Sequence, residues 1–318
     1  MNQLESLKKF SKIVVDSGDM EYIEKYLPED VTTNPSLILK YWNLDIYNNV
    51  FKNAIIYSKK KGGNIQNKIN NATNKIAVGM GVQILKKISG FVSTEINVKH
   101  SFNSMNCIIE AKKIIKMYEE EGIDRSRVLI KLASTWECIK AAEELEKIGI
   151  KCNLTLLFSL VQAQACAEAD VFLISPFIGR IYDWYQVHYP SQNYNVNTDP
   201  GVLSVKKIFN YLKTYGYKTI IMGASFRNIQ QIIALSGCDQ LTISPILLEE
   251  LKFYTGSIDK KLIAPVNIKQ NKPEKLSESE FRWKYNLDRM AVETLSDGIR
   301  KFGCDQDNLE KLISPYLI

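Results

Sequence analysis

The chain has 318 residues, of which 45% are hydrophobic and 24% charged, and a formal net charge of +6. A chain of this length and mix buries a core without disulfides or metal, which excludes a peptide, a stapled miniprotein and a disordered or fibrous chain. The excess of 41 basic over 35 acidic residues is small, and no Arg-rich stripe with interleaved aromatics marks a nucleic-acid binder.

The chain opens MNQLESLKKF, with no apolar run after its charges, so no secretory leader is expected. Short β-branched runs then give strands at 13 to 16 (IVVD) and 30 to 34 (DVTTN). The long interval 35 to 90 must hold extra helices or loops; within it KKKGG and the Asn-rich stretch to residue 74 read as a solvated loop. Strands follow at 91 to 96 (FVSTEI), 128 to 133 (VLIKLA), 152 to 157 (CNLTLL), 171 to 176 (VFLISP), 219 to 225 (TIIMGAS) and 240 to 244 (QLTIS). Between them lie amphipathic helices, NCIIEAKKIIKMYEEEG, WECIKAAEELEKIG, SLVQAQACAEA and VLSVKKIFNYLKTYG, three of the four closing on glycine. Repeated strand then helix implies parallel strands joined by right-handed crossovers. Eight such units with near-continuous apolar strands fit a closed α/β barrel, the (β/α)8 or TIM fold, better than an open doubly wound sheet, and no Gly-rich nucleotide loop occurs. The interval 177 to 218 holds further helix or loop, and the tail from about 278 to 318 reads as helix outside the eight units. With no composition break, residues 1 to 318 are expected to form one domain. The longest apolar stretches, LTLLFSLV and VFLISPFI, fall far short of a membrane span, so no bilayer crossing is expected, and with no secretory leader the expected location is the cytoplasm. The six cysteines form no CxxC pair and read as reduced thiols, while His100 and His188 alone exclude a His-rich zinc site.

Catalytic residues of such a barrel project from the C-terminal strand ends. Those ends carry Asp16, Thr33 and Asn34, Glu95, Lys131, Asn153 and Thr155, Ser175, Ser225 and Arg227. Polar groups closing apolar runs are unfavourable unless they satisfy one another or meet a ligand. Alternation puts Leu129, Lys131 and Ala133 on one face, so the ammonium faces the barrel interior or its mouth. Burial in such a place favours a neutral, nucleophilic amine; the structural alternative is an ion pair with Glu95 or Asp16. Asp16 also fits as the cap of a helix starting near Ser17, and Asn34 before Pro35 fits as an N-cap. Glu95 at the end of FVSTEI would be partly desolvated and suited to proton transfer. Asn153 and Thr155 point the same way and could bond only to backbone. In GASFRN, Ser225 and Arg227 at a helix start, with backbone N–H groups, suit a phosphate, and Arg180 in ISPFIGRIYDWY is either a second cation or a surface arginine.

The stretches DVTTNPSLI, STEI, RVLIKLASTWE, GIKCNLTLLFS, FLISPFIGRIYDWY, DPGV, MGASFRNI and CDQLTISP resemble the transaldolases of the long bacterial type, over nearly the whole chain. The resemblance implies an α/β barrel that moves a dihydroxyacetone unit between sugar phosphates without a dissociable cofactor, as a homodimer. It makes Lys131 the Schiff-base lysine, Asp16 the acid/base at the C4 hydroxyl, and Glu95 a proton shuttle through a water also held by Thr155. It assigns Asn34, Asn153 and Ser175, with Thr32 close by, to the hydroxyls of the three-carbon fragment, and Arg180, Ser225 and Arg227 to the phosphate. Where the family usually reads STEVDARLSFD this chain has STEINVKHSFN, so Asn97, Lys99 and Asn103 depart from charged residues. Cys138 replaces a usual Gly, a swap expected to be neutral or slightly stabilising at a helix start.

Two other readings remain. A fructose 6-phosphate aldolase would release the three-carbon unit; by resemblance those enzymes are shorter and carry Tyr where this chain has Phe177, and a phenyl ring cannot position a protonating water. A non-catalytic sugar-phosphate-binding barrel would be expected to lose Lys131, Asp16 or Glu95, and all three are present.

Overall fold

Parallel strands cannot be joined by tight turns, so each needs a crossover, and the covering helices bury both faces of the sheet. This is why the strands of this chain are written as nearly unbroken apolar runs. The computed structural model describes residues 1–265 and 270–318. Its strands are β1 (Lys12–Asp16), β2 (Asp30–Thr32), β3 (Val92–Glu95), β4 (Val128–Ala133), β5 (Cys152–Leu157), β6 (Leu173–Pro176), β7 (Ile220–Gly223) and β8 (Gln240–Ile243). Each pairs in parallel with the next, and β8 returns to β1, closing the barrel in sequence order. All eight expected strands are present; β4 and β5 keep the expected bounds, β1 gains Lys12, and the others are shorter by one to three residues.

Helix α1 (Gln3–Leu7) precedes the barrel and α2 (Met20–Tyr26) follows β1. After β2 come α3 (Pro35–Tyr41), α4 (Asn48–Lys61) and α5 (Ile65–Leu85). The crossovers continue with α6 (Ser104–Glu120), α7 (Trp136–Lys147), α8 (Leu160–Glu168), α9 (Ile178–His188), α10 (Pro200–Thr214), α11 (Ile229–Ala234) and α12 (Pro245–Phe253). The tail forms α13 (Glu278–Asn286) and α14 (Arg289–Ile313). Gly122, Gly149 and Gly216, at φ 77°, 77° and 64°, take the left-handed turn that ends α6, α7 and α10, as the sequence pattern predicts. Among the described residues no helix is long and apolar enough to cross a membrane.

One expectation fails. The Asn-rich stretch up to residue 74 is not a loop: Asn64 caps α5 by accepting from the Asn67 N–H, and Ala72, Thr73, Asn74 and Lys75 are buried within the helix. Weak helix propensity is overridden by packing along α4, and the buried polar groups are matched, Asn74 by Glu110 and Lys75 by Glu121 at 2.6 Å.

The main core lies between strands and helices and holds Val128, Ile130 and Leu132, the outward face of β4. Inside the barrel, Val14, Leu129, Leu173 and Met222 plug the lower half. A third cluster seals part of the mouth, joining Leu156, Phe158, Phe177 and Ile181 to Leu295 and Phe302 of α14. The C-terminal helix therefore lies against the strand ends, touching β5, α3 and α9.

Candidate active site

Strand register decides which polar ends become neighbours. Glu95 stands level with Lys131, Lys131 with Asn153, Asp16 with Thr32 and Ala133 with Thr155. Lys131 is 4% exposed. Its Nζ lies 3.1 Å from Glu95 Oε2, close enough for an ion pair but not aligned as a hydrogen bond, and it donates to the Thr33 carbonyl at 3.3 Å. The ion pair with Glu95, the structural alternative, is thus present, and its Lys131 end opens onto a cavity. The cavity, about 400 Å³, is lined by Asp16, Thr32, Asn34, Lys131, Thr155, Ser175, Phe177, Arg180, Ser225 and Arg227 among others. That is the scale of a small-molecule site.

Two carboxylates flank the amine. Asp16 does not cap a helix; Asp19 caps α2, and Asp16 instead turns inward and accepts from Thr32 Oγ1 at 3.0 Å. Burial pushes the Asp16 carboxyl above its ordinary value, against the opposing Lys131 charge, Thr32 hydrogen bond and Arg180 charge. Burial likewise raises the Glu95 carboxyl, opposed chiefly by Lys131. Both Glu95 oxygens and Thr155 Oγ1 are buried without a hydrogen-bond partner. Carboxyl groups raised in this way exchange protons more readily near neutrality than free Asp or Glu.

On the next strands, Ser175 Oγ donates to Asn153 Oδ1 at 2.7 Å, and Asn153 Nδ2 donates to Ser93 Oγ at 3.2 Å. Asn153 therefore bonds side chains, not backbone, because its register position faces into the barrel. Thr155 points inward by simple alternation from Asn153, and just beyond it β5 carries a one-residue bulge, where Leu156 adopts φ 51°. Buried Gln162 braces that bulge, accepting from the Phe158 and Ser159 N–H groups and donating to the Leu156 and Ser134 carbonyls. Asn34 fulfils its capping role, accepting from the Leu37 N–H at 2.9 Å at the start of α3, and also lines the cavity.

The cationic end is built by the loop after β7 and the first turn of α9. Ser225 sits at φ +63°, and its carbonyl accepts the Gly179 N–H at 2.9 Å. Arg227 precedes the cap of α11 and is held by Asp183 at 2.6 Å, a partner the sequence did not suggest. Arg180 is no ordinary surface arginine: it lines the cavity, and burial, then the like charge of Arg227, lowers its pKa. A larger cleft of about 810 Å³ between α9 and α14 shares Arg180 and Arg227, but Lys131 and Asp16 line the smaller cavity.

Sequence reasoning missed Thr242 and Phe302. Thr242 Oγ1 lies 2.9 Å from Thr32 Oγ1, extending the chain Asp16–Thr32 across to β8; as a polar residue inside the QLTIS run it was open to detection. Phe302 gave no such signal, because only the path of α14 brings it to the cavity. The departures beside β3 keep local roles: Asn97 caps the turn after Glu95, Asn103 caps α6, and Lys99 pairs with Asp307 at 2.6 Å and Glu310 at 3.2 Å on α14. Cys138 is buried at the start of α7, its Sγ 3.6 Å from that of Cys107.

The family model described as Transaldolase/Fructose-6-phosphate aldolase matches residues 13–313. Proteins named Transaldolase from Buchnera aphidicola subsp. Acyrthosiphon pisum (strain Tuc7) and Baumannia cicadellinicola are 59% and 57% identical to this chain. The first match covers 99% of both chains and the second 100% of both. A Transaldolase from Sodalis glossinidius is 55% identical over 100% of each. A lysine beside two raised carboxyls and a cationic pocket, on a barrel whose whole length matches these proteins, places the chain in the transaldolase/fructose-6-phosphate aldolase family.

Proposed function

We propose that this enzyme carries a dihydroxyacetone unit on Lys131, taking it from sedoheptulose 7-phosphate or fructose 6-phosphate and passing it to glyceraldehyde 3-phosphate or erythrose 4-phosphate, in the non-oxidative pentose phosphate pathway. The observation that supports this most is the buried Lys131 amine 3.1 Å from Glu95, with Asp16 on the same cavity wall. Nζ adds to the donor C2 carbonyl and water leaves, forming an iminium that accepts electrons. Asp16 takes the proton of the C4 hydroxyl as the C3–C4 bond breaks; the electron pair moves into the iminium, giving an enamine and a free aldose phosphate. Glu95 moves protons at the carbinolamine through a water also held by Thr155, a role that suits side-chain oxygens without a hydrogen-bond partner. The enamine then attacks the acceptor aldehyde, Asp16 returns its proton to the new hydroxyl, and water releases the product. Asn34, Asn153, Ser175 and Thr32 hold the hydroxyls of the fragment, while Arg180, Ser225 and Arg227 take the phosphate.

Phe177 bears on the choice between transfer and release. It is 7% exposed, packs edge-on against Phe158 at 5.9 Å and offers no hydroxyl to a water near the enamine. The enamine therefore waits for an aldehyde. In this proposal the tail from about 278 onward is part of the same domain, since Phe302 lines the cavity; the cytoplasm and a homodimer complete it, on the family resemblance.

Borohydride reduction with fructose 6-phosphate, followed by peptide mass analysis, tests the central step. The expected result is a dihydroxyacetone-sized adduct on Lys131, with Lys131→Ala untrapped and slower by several powers of ten. An active preparation that carries the adduct on another residue, or traps nothing, refutes it.

A further inference from the structure

Arg227 and Arg180 are held in opposite ways. Arg227 is tied by its Nε and NH2 to Asp183. Among the described residues Arg180 has no carboxylate within 4.0 Å and no hydrogen bond, although it is largely buried at the cavity wall. What touches its guanidinium is aromatic: the Phe177 ring at 5.1 Å and the Phe302 ring at 5.2 Å. Aromatic faces attract a cation without using its N–H donors, so all of them stay available to a ligand.

Phe302 comes from α14, and the approach of that helix is set one turn earlier on the same face. A Cβ at Gly298 would stand 2.8 Å from Leu156 Cδ2 and 3.1 Å from Arg180 NH1, so the absence of a side chain lets the helix settle onto the arginine. Distant contacts fix the rest of the helix: Lys99 with Asp307, Ser36 with Asp305, and Trp184 with Glu293 at 2.7 Å.

We propose that Phe302, admitted by Gly298, is a positioning residue that holds Arg180 with its donors free, and so sets the preference of the enzyme for phosphorylated over unphosphorylated ketose donors. This rests on the reading of Arg180 as a phosphate ligand. The C-terminal helix is then part of substrate selection and not only a cover over the barrel.

The experiment uses the full chain, with fructose 6-phosphate and fructose as donors and one aldose phosphate as acceptor. Phe302→Leu, which stays apolar and loses the π face, is expected to lower the preference for fructose 6-phosphate about tenfold, mainly through KM, and Phe302→Tyr to restore it. Gly298→Ala, by pushing on Arg180, should move the same preference without altering Phe302. In an Arg180→Ala background, Phe302→Leu should have no further effect. Equal losses on both donors, an unrescued Phe302→Tyr, or full additivity with Arg180→Ala overturns the proposal and leaves the arginine's role standing. An Arg180→Ala enzyme that keeps its preference for the phosphorylated donor overturns both.

Discussion

Gly179 is a point of close approach between the two segments that build the cationic pocket, and Gly179→Ala should separate them. A Cβ there would fall 2.1 Å from the Ser225 carbonyl oxygen, 2.8 Å from Arg227 Cγ and 3.0 Å from Arg227 NH1. Ordinary contact distances require the Ser225 loop to retreat by about 1 Å, which strains the close-packed turn and stretches the 2.9 Å hydrogen bond from the Gly179 N–H to Ser225. Overpacking of this kind costs about 1–3 kcal/mol and a lost hydrogen bond about 1 kcal/mol, for a sum of about 2–4 kcal/mol. At about 2.1 cal/mol/K per residue the unfolding entropy of a 318-residue chain is about 0.67 kcal/mol/K, so Tm should fall by about 3–6 °C. Because Ser225 and Arg227 move together, KM for fructose 6-phosphate should rise about tenfold or more, the loss of one charge-assisted bond. Thermal melts and steady-state kinetics on fructose 6-phosphate and fructose measure both effects. Wild-type Tm and KM, or equal loss on the two donors, would refute the claim that this contact shapes the phosphate end.

Three further outcomes follow from the site. Asp16→Asn keeps the acceptor for Thr32 and should abolish turnover yet raise Tm at neutral pH. Folding raises the Asp16 pKa above 3.8, so the native state binds the extra proton and wild-type stability falls as pH climbs through the raised value, whereas below 3.8 the two proteins should melt alike; a Tm gain that is independent of pH would contradict this. Phe177→Tyr, which adds a hydroxyl beside the enamine, should increase dihydroxyacetone release relative to transfer, and assay of both products with and without acceptor decides it, an unchanged ratio removing Phe177 from the account. Thr242→Val removes the hydroxyl 2.9 Å from Thr32 and should lower kcat about three- to tenfold with little change in KM, Thr242→Ser restoring it; wild-type kcat in the valine variant would show that the Asp16–Thr32 pair needs no third member.

Local sequence determined the strands, most helices and the polar groups at the strand ends. A buried parallel strand must be apolar on both faces, so a charge such as Lys131 within VLIKLA stands out at once. Glycines just past α6, α7 and α10 were legible because only the left-handed turn that glycine tolerates ends a helix there. Where two uses of one residue compete, sequence was mute: Asp16 and Asn34 both look like helix caps, and the structure makes Asn34 a cap and turns Asp16 into the barrel. Register separates them, because the C-terminal ends of β1 and β2 stand level and place Asp16 beside Thr32. The Asn-rich start of α5 was misread for a related reason, since its helical state comes from packing against α4 and from Glu110 and Glu121, partners far away in the chain. The placement of α14 is the extreme case. Its own pattern makes it an amphipathic helix, but whether that helix covers the outer wall or the mouth depends on the bulge at Leu156, the gap at Gly298 and ion pairs to Lys99, three features from separate parts of the sequence that meet only once the barrel has closed.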